Sequence, residues 1–392
     1  MDRTHPFVIP GDTPWLSDPG VRKLGKAFDA TGFAIYVVGG AVRNALLGLP
    51  GSDVDMSTNA LPDQVTALAA QAGFKVIPTG IDHGTVTVIS EGTPFEVTTF
   101  RRDVETDGRR AVVAFSDRIE DDARRRDFTM NALYADLSGN IIDPLGGLPD
   151  LLARRVRFIE DPDARIREDY LRILRFFRFS AWYSDPDQGF DPDTLDAIAR
   201  NLPGLETLSA ERVGQEMSKL LAAPDPAPAL ATMRQINVLP MILPGSDDRF
   251  IAPLVHLETA LAISPDWITR LAALGGSEAE SRLRLSRADA RKLATLREAA
   301  FGSETLPALA FREGVDIAQS ALMLRCSLAE TLPETAVLET IKDAAQRRFP
   351  VAAKDLMPEY EGAALGARLR QLEEAWIASG FTLSRDDLLA LP

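Results

Sequence analysis

The residues of this chain that are best suited to chemistry are two aspartates, Asp53 and Asp55, with one valine between them. If Val54 is an inward-facing strand residue, both carboxylates lie on the opposite face, about 6.6 Å apart along the strand. Two carboxylates at that spacing can share a divalent metal ion. Metal ions on the attacking and leaving oxygens suit in-line transfer of a phosphoryl group. The pair is therefore a candidate catalytic and metal-binding site.

A glycine turn precedes the two aspartates. The apolar run Ile35–Val38 predicts a buried strand that ends at Gly39 and Gly40, and Ala41–Leu47 predicts a helix. Glycines between a strand and a helix N-terminus let the backbone approach an anion, and the helix dipole favours a phosphate there. Arg43, one turn into the helix, can add a bidentate clamp on the same anion. Each feature alone is common, but the combination predicts a nucleotide site.

These residues also carry a family resemblance. GGAVRNALLG followed by DVDMST resembles the signature of class II nucleotidyltransferases, the CCA-adding enzymes and bacterial poly(A) polymerases. The family usually has Asp after the Arg, whereas this chain has Asn44, which can hydrogen-bond but cannot form an ion pair with Arg43. The resemblance implies Mg²⁺ as cofactor, held by Asp53 and Asp55. It also implies that Gly39, Gly40 and Arg43 bind a nucleoside triphosphate.

The elements that must position this site alternate between helix and strand from residue 21 to residue 140. Helices are predicted over Val21–Ala30 and Pro62–Ala72. The β-branched runs Thr85–Ile89 and Phe95–Phe100 predict an antiparallel hairpin. Glu96, in its second strand, is either a third catalytic carboxylate or an exposed strand residue. Spacing does not decide between the two, and the resemblance favours the catalytic role.

Two charged segments follow the hairpin. By composition Arg101–Phe115 is a mobile loop, and it resembles the flexible loop of the CCA-adding enzymes, which CC-only enzymes have in altered form. Glu120–Leu137 predicts a helix, and it contains a match to the family's RRDxxxNA element. The resemblance implies that four of its residues contact the nucleotide, namely Arg125, Arg126, Asp127 and Asn131. A solvated helix face is the alternative for the arginines.

A second informative helix is predicted over Asp163–Tyr183, which holds REDYLRILRFFRF. Four polar residues recur every three positions and wind around the helix, so that only neighbours can act together: Asp169, Arg172, Arg175 and Arg178. Asp169 could accept a hydrogen bond from the exocyclic amine of cytosine or adenine while Arg172 donates to the adjacent ring nitrogen. Uracil and guanine present the reverse pattern and would leave these groups unpaired. The alternative is an intrahelical ion pair worth about 0.3–0.5 kcal/mol.

The helix also resembles the family's EDxxRxxRxxRF element, which is thought to select the incoming nucleotide without a nucleic-acid template. The resemblance therefore implies that all four residues bind nucleotide. By position on the helix, Arg175 and Arg178 are expected to reach phosphates, RNA or neighbouring acids. The resemblance is strong from about residue 35 to residue 180 and weak beyond it.

Composition limits the class of protein. A chain of 392 residues can form two or three domains, and with 45% hydrophobic residues it holds no apolar run near the ~20 residues of a membrane span. The N-terminus lacks the long apolar segment of a secretory signal, and Cys326 is the only cysteine, which excludes an intramolecular disulfide. We expect a soluble cytoplasmic protein, and neither a membrane nor a protein partner is implied.

The net charge of −14 disfavours binding to RNA, because phosphate contacts need lysine and arginine. Local basic surface is still expected. The segment Ser281–Leu293 is the best candidate for an RNA-backbone contact beyond the resemblance, and an exposed helix face is the alternative. Its basic residues are Arg282, Arg284, Arg287, Arg291 and Lys292.

Together these observations predict an α+β fold. A nucleotidyltransferase head with a mixed or antiparallel sheet and flanking helices is expected over residues 1–145, a helical neck with the nucleotide-selecting helix over 146–220, and a helical, tRNA-binding body and tail over 221–392. The resemblance implies template-independent addition of C, C and A to tRNA from CTP and ATP. The alternatives are a poly(A) polymerase or A-adding enzyme, and a non-catalytic RNA-binding protein on the same fold.

The charged segment provides the first test. Replacing Asp107–Arg110 by a short Gly/Ser linker should preserve addition of CC and severely reduce addition of the final A, because the segment is expected to help the enzyme change from C to A. Incorporation of each labelled nucleotide into tRNA ends of defined length measures this. Equal loss of both activities would mean that the segment is only structural.

Overall fold

The computed structural model describes residues 4–51, 53–78, 80–107 and 110–392. It forms two compact units. The first comprises Met1–Glu216 with Thr232–Ile242, and the second comprises Met217–Ala231 with Leu243–Pro392. The fold is α+β, which confirms the predicted class, and the predicted domain boundaries at residues 145 and 220 stay predictions.

The β-strands all belong to the first unit. In chain order they are β1 Thr4–Val8, β2 Ile35–Val38, β3 Met56–Thr58, β4 Lys75–Ile77, β5 Thr85–Ser90, β6 Thr93–Thr99, β7 Arg101–Asp107, β8 Arg110–Phe115, β9 Tyr134–Ala135 and β10 Asn140–Ile142. Eight of them form one mixed sheet in the order β1-β10-β9-β2-β3-β6-β5-β4, while β7 and β8 pair separately. In the described part of the chain beyond residue 142, no further strand is found, as the sequence predicts.

Helices fill the remainder. The first unit contains α1 Pro14–Ser17, α2 Pro19–Asp29, α3 Gly40–Leu47, α4 Pro62–Gln71, α5 Ile119–Arg124, α6 Leu148–Leu152, α7 Pro162–Glu168, α8 Leu171–Tyr183, α9 Pro192–Arg200 and α12 Val238–Ile242. Two helices have residues in both units, α10 Ala210–Leu221 and α11 Ala227–Gln235. The second unit contains α13 Ile251–Ala260, α14 Trp267–Leu274, α15 Ala279–Arg282, α16 Arg287–Phe301, α17 Leu306–Glu313, α18 Val315–Ala329, α19 Thr335–Ala345, α20 Gly362–Ala378 and α21 Arg385–Leu389.

Local patterns predict the first hundred residues well. The predicted helices correspond to α2, α3 and α4, and the predicted hairpin corresponds to β5 and β6. Pro19 and Pro62 stand in the first turns of α2 and α4, where the missing N–H has no helical partner to lose. Glu91 and Gly92 both have positive φ angles, as a two-residue hairpin turn requires.

The register around β3 positions the candidate site. β3 runs antiparallel to β2, with Val37 opposite Met56, and parallel to β6, with Met56 opposite Val97. Residues Asp53 to Asp55 precede β3, so the prediction that Val54 is a strand residue is wrong. Asp55 is nevertheless tied to the sheet, because its carbonyl accepts from the Val38 N–H at 3.0 Å.

Two predicted elements between residues 101 and 137 are wrong. The described part of Arg101–Phe115 is a hairpin, β7 with β8, in place of an irregular loop, and Gly108 lies outside the described residues. The Asp-Gly dipeptide there is a strong hairpin signal, but the charged residues around it favoured a loop. The helix predicted over Glu120–Leu137 ends at Arg124, and a 3₁₀ turn, Thr129–Asn131, and strand β9 follow. There, pairing of β9 with β2 and β10 overrides helix propensity.

The helix predicted over Asp163–Tyr183 is divided into α7 and α8. Asp169 lies at the break with φ −155° and ψ 104°. Its carboxylate accepts from the Leu171 N–H at 3.1 Å, which replaces the helical bonding of the backbone. Beyond the break, Phe176, Phe177 and Phe179 of α8 are buried and pack against other rings of the same unit, Phe128, Phe158 and Phe190.

The second unit contains a buried ion pair that joins Glu258 of α13 to Arg270 of α14. The Arg270 side chain is 0% exposed and that of Glu258 is 3% exposed, with 2.6 Å between Nη2 and Oε2. Arg270 also donates to the carbonyls of Leu221, at 2.6 Å, and Pro224, at 3.2 Å. Its donors are therefore matched to buried acceptors, which is the condition under which a buried charge is tolerated.

Among the described residues, no helix combines the length and apolar character needed to cross a membrane.

Replacing Arg270 by Met should destabilise the second unit by about 3–5 kcal/mol, because Glu258 would remain buried without its partner. The double variant Arg270→Met with Glu258→Leu should recover much of this loss. Urea unfolding measures both. Arg249, whose ion pair with Asp247 is largely exposed, is the control, and Arg249→Met should change stability by less than about 0.5 kcal/mol. A similar loss for both arginines would contradict the interpretation.

Candidate active site

Three carboxylates meet at the edge where β3 begins. Because Met56 lies opposite Val97 in a parallel pair, Asp55, the residue just before β3, comes beside Glu96 of β6. Asp53, Asp55 and Glu96 are all exposed, whereas Met56 and Val97 are buried on the other face. Strand register therefore places Glu96 next to the predicted catalytic pair, Asp53 and Asp55. Spacing along the chain could not decide whether Glu96 lies there.

The three carboxylates interact electrostatically. Protein atoms packed around Asp55 raise the pKa of its carboxyl group by loss of hydration, the charges of Glu96 and then Asp53 raise it further, and the Arg126 guanidinium opposes them. Clustered carboxylates that repel one another are suited to a divalent cation, which would relieve the repulsion. Among the described residues, no set of three or more His, Cys, Asp or Glu side chains is arranged to hold a metal. Two carboxylates are enough for Mg²⁺, which keeps several waters.

The glycine turn lies beside this cluster. Gly39 has φ 70°, a backbone conformation that favours glycine, and a Cβ added there would lie 3.4 Å from Arg126 Nη1. Gly40 begins α3. The turn therefore lets the backbone come close to Arg126, the residue whose charge also acts on Asp55.

Arg43 is only 6% exposed, and its guanidinium is bonded within the protein. It donates to Asn131 Oδ1 at 2.5 Å, to the Tyr183 hydroxyl at 2.8 Å and twice to Asn44 Oδ1, at 3.0 and 3.2 Å. Asn44 thus hydrogen-bonds to Arg43 as expected, and it also donates to the Pro50 carbonyl. A bidentate clamp on phosphate would require some of these bonds to break. All four acceptor contacts are to neutral groups, so the charge of Arg43 is not balanced by them.

Arg126 is held by a buried carboxylate that the sequence analysis missed. Asp122 is 1% exposed and accepts from the Tyr134 hydroxyl at 2.8 Å and from Arg126 at 3.1 Å. Burial alone would raise the pKa of Asp122, but the Arg126 and Arg125 charges and these hydrogen bonds hold it below its ordinary value. The main chain beside it is held by Arg165, which donates to the Arg125 and Arg126 carbonyls at 2.7 and 2.5 Å.

Asp127 and Asn131 are also brought together. Asp127 Oδ1 accepts from Asn131 at 2.9 Å, and Oδ2 accepts from Arg175 Nε at 2.7 Å. Burial would raise the pKa of Asp127, but the Arg175 charge and these bonds lower it. Arg178 pairs instead with Glu216 of α10, at 2.6 Å. Two of the three predicted nucleotide-binding arginines of α8, Arg175 and Arg178, are therefore engaged by buried carboxylates.

The alternative prediction, a direct ion pair between Asp169 and Arg172, is not found among the described residues. Arg172 donates to Glu168 Oε2 at 2.5 Å and to the Arg165 carbonyl at 2.7 Å. Asp169 pairs with Arg212 of α10 at 2.6 Å. Each of the two side chains is held by a different partner, and their role in base choice stays a prediction.

Comparison with known proteins agrees with this arrangement. The sequence matches two family models, the Poly A polymerase head domain over residues 35–157 and the probable RNA and SrmB-binding site of polymerase A over residues 189–250. The mitochondrial CCA tRNA nucleotidyltransferase 1 of Homo sapiens is 34% identical over 394 residues, which cover 96% of this chain and 90% of the human protein. The chain belongs to the CCA-adding enzyme family of nucleotidyltransferases.

Other members are similar in sequence and in structure. The CCA-adding enzyme of Geobacillus thermodenitrificans is 43% identical over 264 residues, covering 66% of this chain and 59% of that enzyme. The crystal structure of the Bacillus stearothermophilus CCA-adding enzyme in complex with CTP matches 92% of this chain and 94% of its own, with a TM-score of 0.71 and 30% identity. The predicted family and the predicted nucleotidyltransferase activity are confirmed.

The basic segment of this CCA-adding family member lies in the second unit, on α15, the turn after it and the start of α16. Arg282, Arg284, Arg287 and Arg291 are exposed. Lys292 is partly buried and bonded to Asp266 at 3.0 Å. The segment is therefore divided between two helices instead of forming one face, and its role in binding RNA stays a prediction.

Sequence reasoning missed several residues that hold the site: Asp122, Tyr134, Arg165, Glu168, Tyr183, Arg212 and Glu216. Most of them contact the predicted residues from far along the sequence, whereas Asp122 and Glu168 do so from four residues away, across the end of a helix. A charged residue inside an apolar helix pattern is a signal for such a role. Glu216, between Val213 and Met217 on the buried face of α10, shows that signal.

The raised pKa of Asp55 gives a stability test. An Asp whose pKa is raised in the folded state costs stability above that pKa, and the cost disappears as the pH falls below its unfolded value of about 4. Asp55→Asn should therefore raise the Tm of the metal-free protein at pH 7–8, with a gain that shrinks toward acid pH. The exposed Asp117→Asn should show no such gain. A lowered Tm for Asp55→Asn at pH 7–8 would contradict the electrostatic account.

Proposed function

We propose that this enzyme adds C, C and A, without a nucleic-acid template, to the 3′ end of tRNA from CTP and ATP, and that it releases pyrophosphate. The observation that carries the proposal is the parallel register of β3 and β6. It gathers Asp53, Asp55 and Glu96 beside the Gly39 turn at the start of α3. Relatives that match nearly the whole chain carry the same activity in their names.

Asp53 and Asp55 would hold Mg²⁺, which when bound would lower the pKa of the RNA 3′-hydroxyl and stabilise the leaving pyrophosphate. Glu96 adds a third negative charge to the cluster. The positive charge of Arg126 opposes the repulsion among the carboxylates and keeps the pKa of Asp55 lower than it would otherwise be. Asp55 therefore stays ionised to a lower pH. The protein thereby keeps its metal-binding carboxylates together at neutral pH.

The triphosphate would lie at the Gly39–Gly40 turn. The N-terminus of α3 offers its free N–H groups there. Arg43 contributes positive charge that its neutral acceptors leave unbalanced, and this charge favours an anion nearby even without direct contact. Asp127 and Asn131, bonded to each other, would meet the ribose, and Arg125, Arg175 and Arg178 would complete the nucleotide site.

Base choice would rest on Asp169 and Arg172. The carboxylate would accept from the exocyclic amine of cytosine or adenine, and the guanidinium would donate to the adjacent ring nitrogen. Arg172 keeps its Nε–H outside the hydrogen bonds that fix its Nη atoms. A fixed donor and a fixed acceptor reject uracil and guanine because mismatched groups would be left unpaired.

The tRNA backbone would contact the exposed arginines of α15 and α16, and the reaction would take place in the cytoplasm. The second candidate is a poly(A) polymerase or A-adding enzyme, which is favoured by the match of residues 35–157 to a poly(A) polymerase head. Both candidates use the same carboxylates. They differ in whether CTP is incorporated before ATP.

One assay distinguishes them. Purified protein with Mg²⁺ and a tRNA that lacks CCA should incorporate two labelled C residues from CTP and then one A from ATP, and it should not extend further. Incorporation of A without C, or long A tails, would establish the second candidate.

The catalytic assignment has its own test in this assay. Asp53→Ala and Asp55→Ala should each abolish incorporation while leaving the protein folded, because each removes one of the two carboxylates that are proposed to hold the metal in the geometry required for transfer. Asp117→Ala, at an exposed position, is the control and should be fully active. Activity above about 1% of the wild type in both site variants would refute the metal assignment.

A further inference from the structure

Arg212 of α10 bonds directly to Asp169. Its Nη2 donates to Asp169 Oδ2 at 2.6 Å, and the other carboxylate oxygen accepts from the Leu171 N–H at 3.1 Å. The two donors fix the plane of the carboxylate, and each oxygen keeps a lone pair for a further donor. The side chains of Arg212 and Asp169 are 30% and 29% exposed, so the pair is partly open to solvent and contributes little to stability.

Arg172 is held by separate partners. Glu168 and the Arg165 carbonyl bind its Nη1, and the Arg125 carbonyl lies 3.4 Å from its Nη2. Residues three apart in sequence at a helix start are close enough for Asp and Arg side chains to pair. Asp169 and Arg172 are therefore within reach of each other, and a direct pair would cancel the acceptor and the donor that a base requires.

The helix α10 holds the base-reading segment at two points. Glu216, one turn after Arg212, pairs with Arg178 at 2.6 Å and lies 3.7 Å from Arg175. Between them the backbone is fixed by packing, because a Cβ on Gly204 would lie 2.1 Å from the Tyr170 ring. This packing restricts the chain next to Asp169, whereas the direction of the Asp169 carboxylate depends on its own hydrogen-bond donors.

We propose that Arg212 is a positioning residue for base choice. It competes with Arg172 for Asp169, keeps the two base-reading groups apart, and turns the carboxylate so that its free lone pair is available to the exocyclic amine of cytosine or adenine. This inference rests on the proposed function. It assigns a role to a residue that contacts Asp169 and acts on the base through it.

The test compares Arg212→Gln, Arg212→Lys and Asp169→Ala with wild type. The readout is kcat/KM for CTP, ATP and UTP on tRNA ends that await C or A. Arg212→Gln should lower the CTP:UTP and ATP:UTP ratios by about 5- to 30-fold, the effect of losing one charge-assisted hydrogen bond. The change should fall mainly on KM for CTP and ATP. Arg212→Lys keeps the charge and should restore most of the discrimination.

Two further measurements separate this role from a structural one. Thermal melting of Arg212→Gln should match wild type, because the pair is partly exposed. Arg167, which pairs with Asp163 on α7 and is largely exposed, is the matched control, and Arg167→Gln should leave every ratio unchanged. The double variant Arg212→Gln with Asp169→Ala should discriminate no worse than Asp169→Ala alone, because Arg212 acts through Asp169.

Unchanged ratios in Arg212→Gln, when Asp169→Ala alters them, would overturn the role of Arg212 and leave the proposed function in place. An equal loss with all three nucleotides would also overturn it, since the residue would then support activity without affecting base choice. Failure of the wild type to incorporate C or A would refute the proposed function itself.

Discussion

The ion pair between the buried Asp127 carboxylate and the partly exposed Arg175 is the interaction on which the other contacts of the site depend. It joins the segment after α5 to the helix α8 across 48 positions of sequence. Asp127 also holds Asn131, and Asn131 accepts from Arg43 in α3. The carboxylate is buried, and only the charge and hydrogen bonds opposite it make ionisation favourable there. Removing Arg175 would leave that charge unpaired and release both neighbours.

Charges are sorted within the first unit. Carboxylates crowd together at the start of β3, where the pKa of Asp55 is raised. Guanidinium groups surround the Phe179 ring, with Arg43, Arg175 and Arg178 at 5.2, 5.4 and 4.5 Å from its centroid. Each guanidinium gains a favourable contact with the ring face, which lets several of them share a small volume. This local separation of charge explains how a chain with net charge −14 can still bind a nucleoside triphosphate.

The sequence predicts this site unevenly, and the physical reason is the distance over which each feature is determined. The strand, glycine turn and helix over Ile35–Leu47 were predicted because hydrophobic period and glycine position are local signals. The break at Asp169 and the strand at Tyr134 depend on partners far along the chain. The position of Glu96 beside Asp55 depends on strand register, which a single strand does not contain. The family resemblance indicated nucleotidyl transfer, but it did not indicate which side chains form ion pairs and hydrogen bonds with one another.

The break between α7 and α8 links these observations. In one continuous helix, Asp169 and Arg172 would lie on adjacent turns and satisfy each other, so little of their bonding capacity would remain for a base. The break turns Asp169 out of the helix, where the Leu171 N–H and Arg212 take up part of its capacity. Glu168 and two main-chain carbonyls do the same for Arg172. Under the proposed base-reading role, Asp169 and Arg172 must not pair with each other, and the break between α7 and α8 helps to keep them apart.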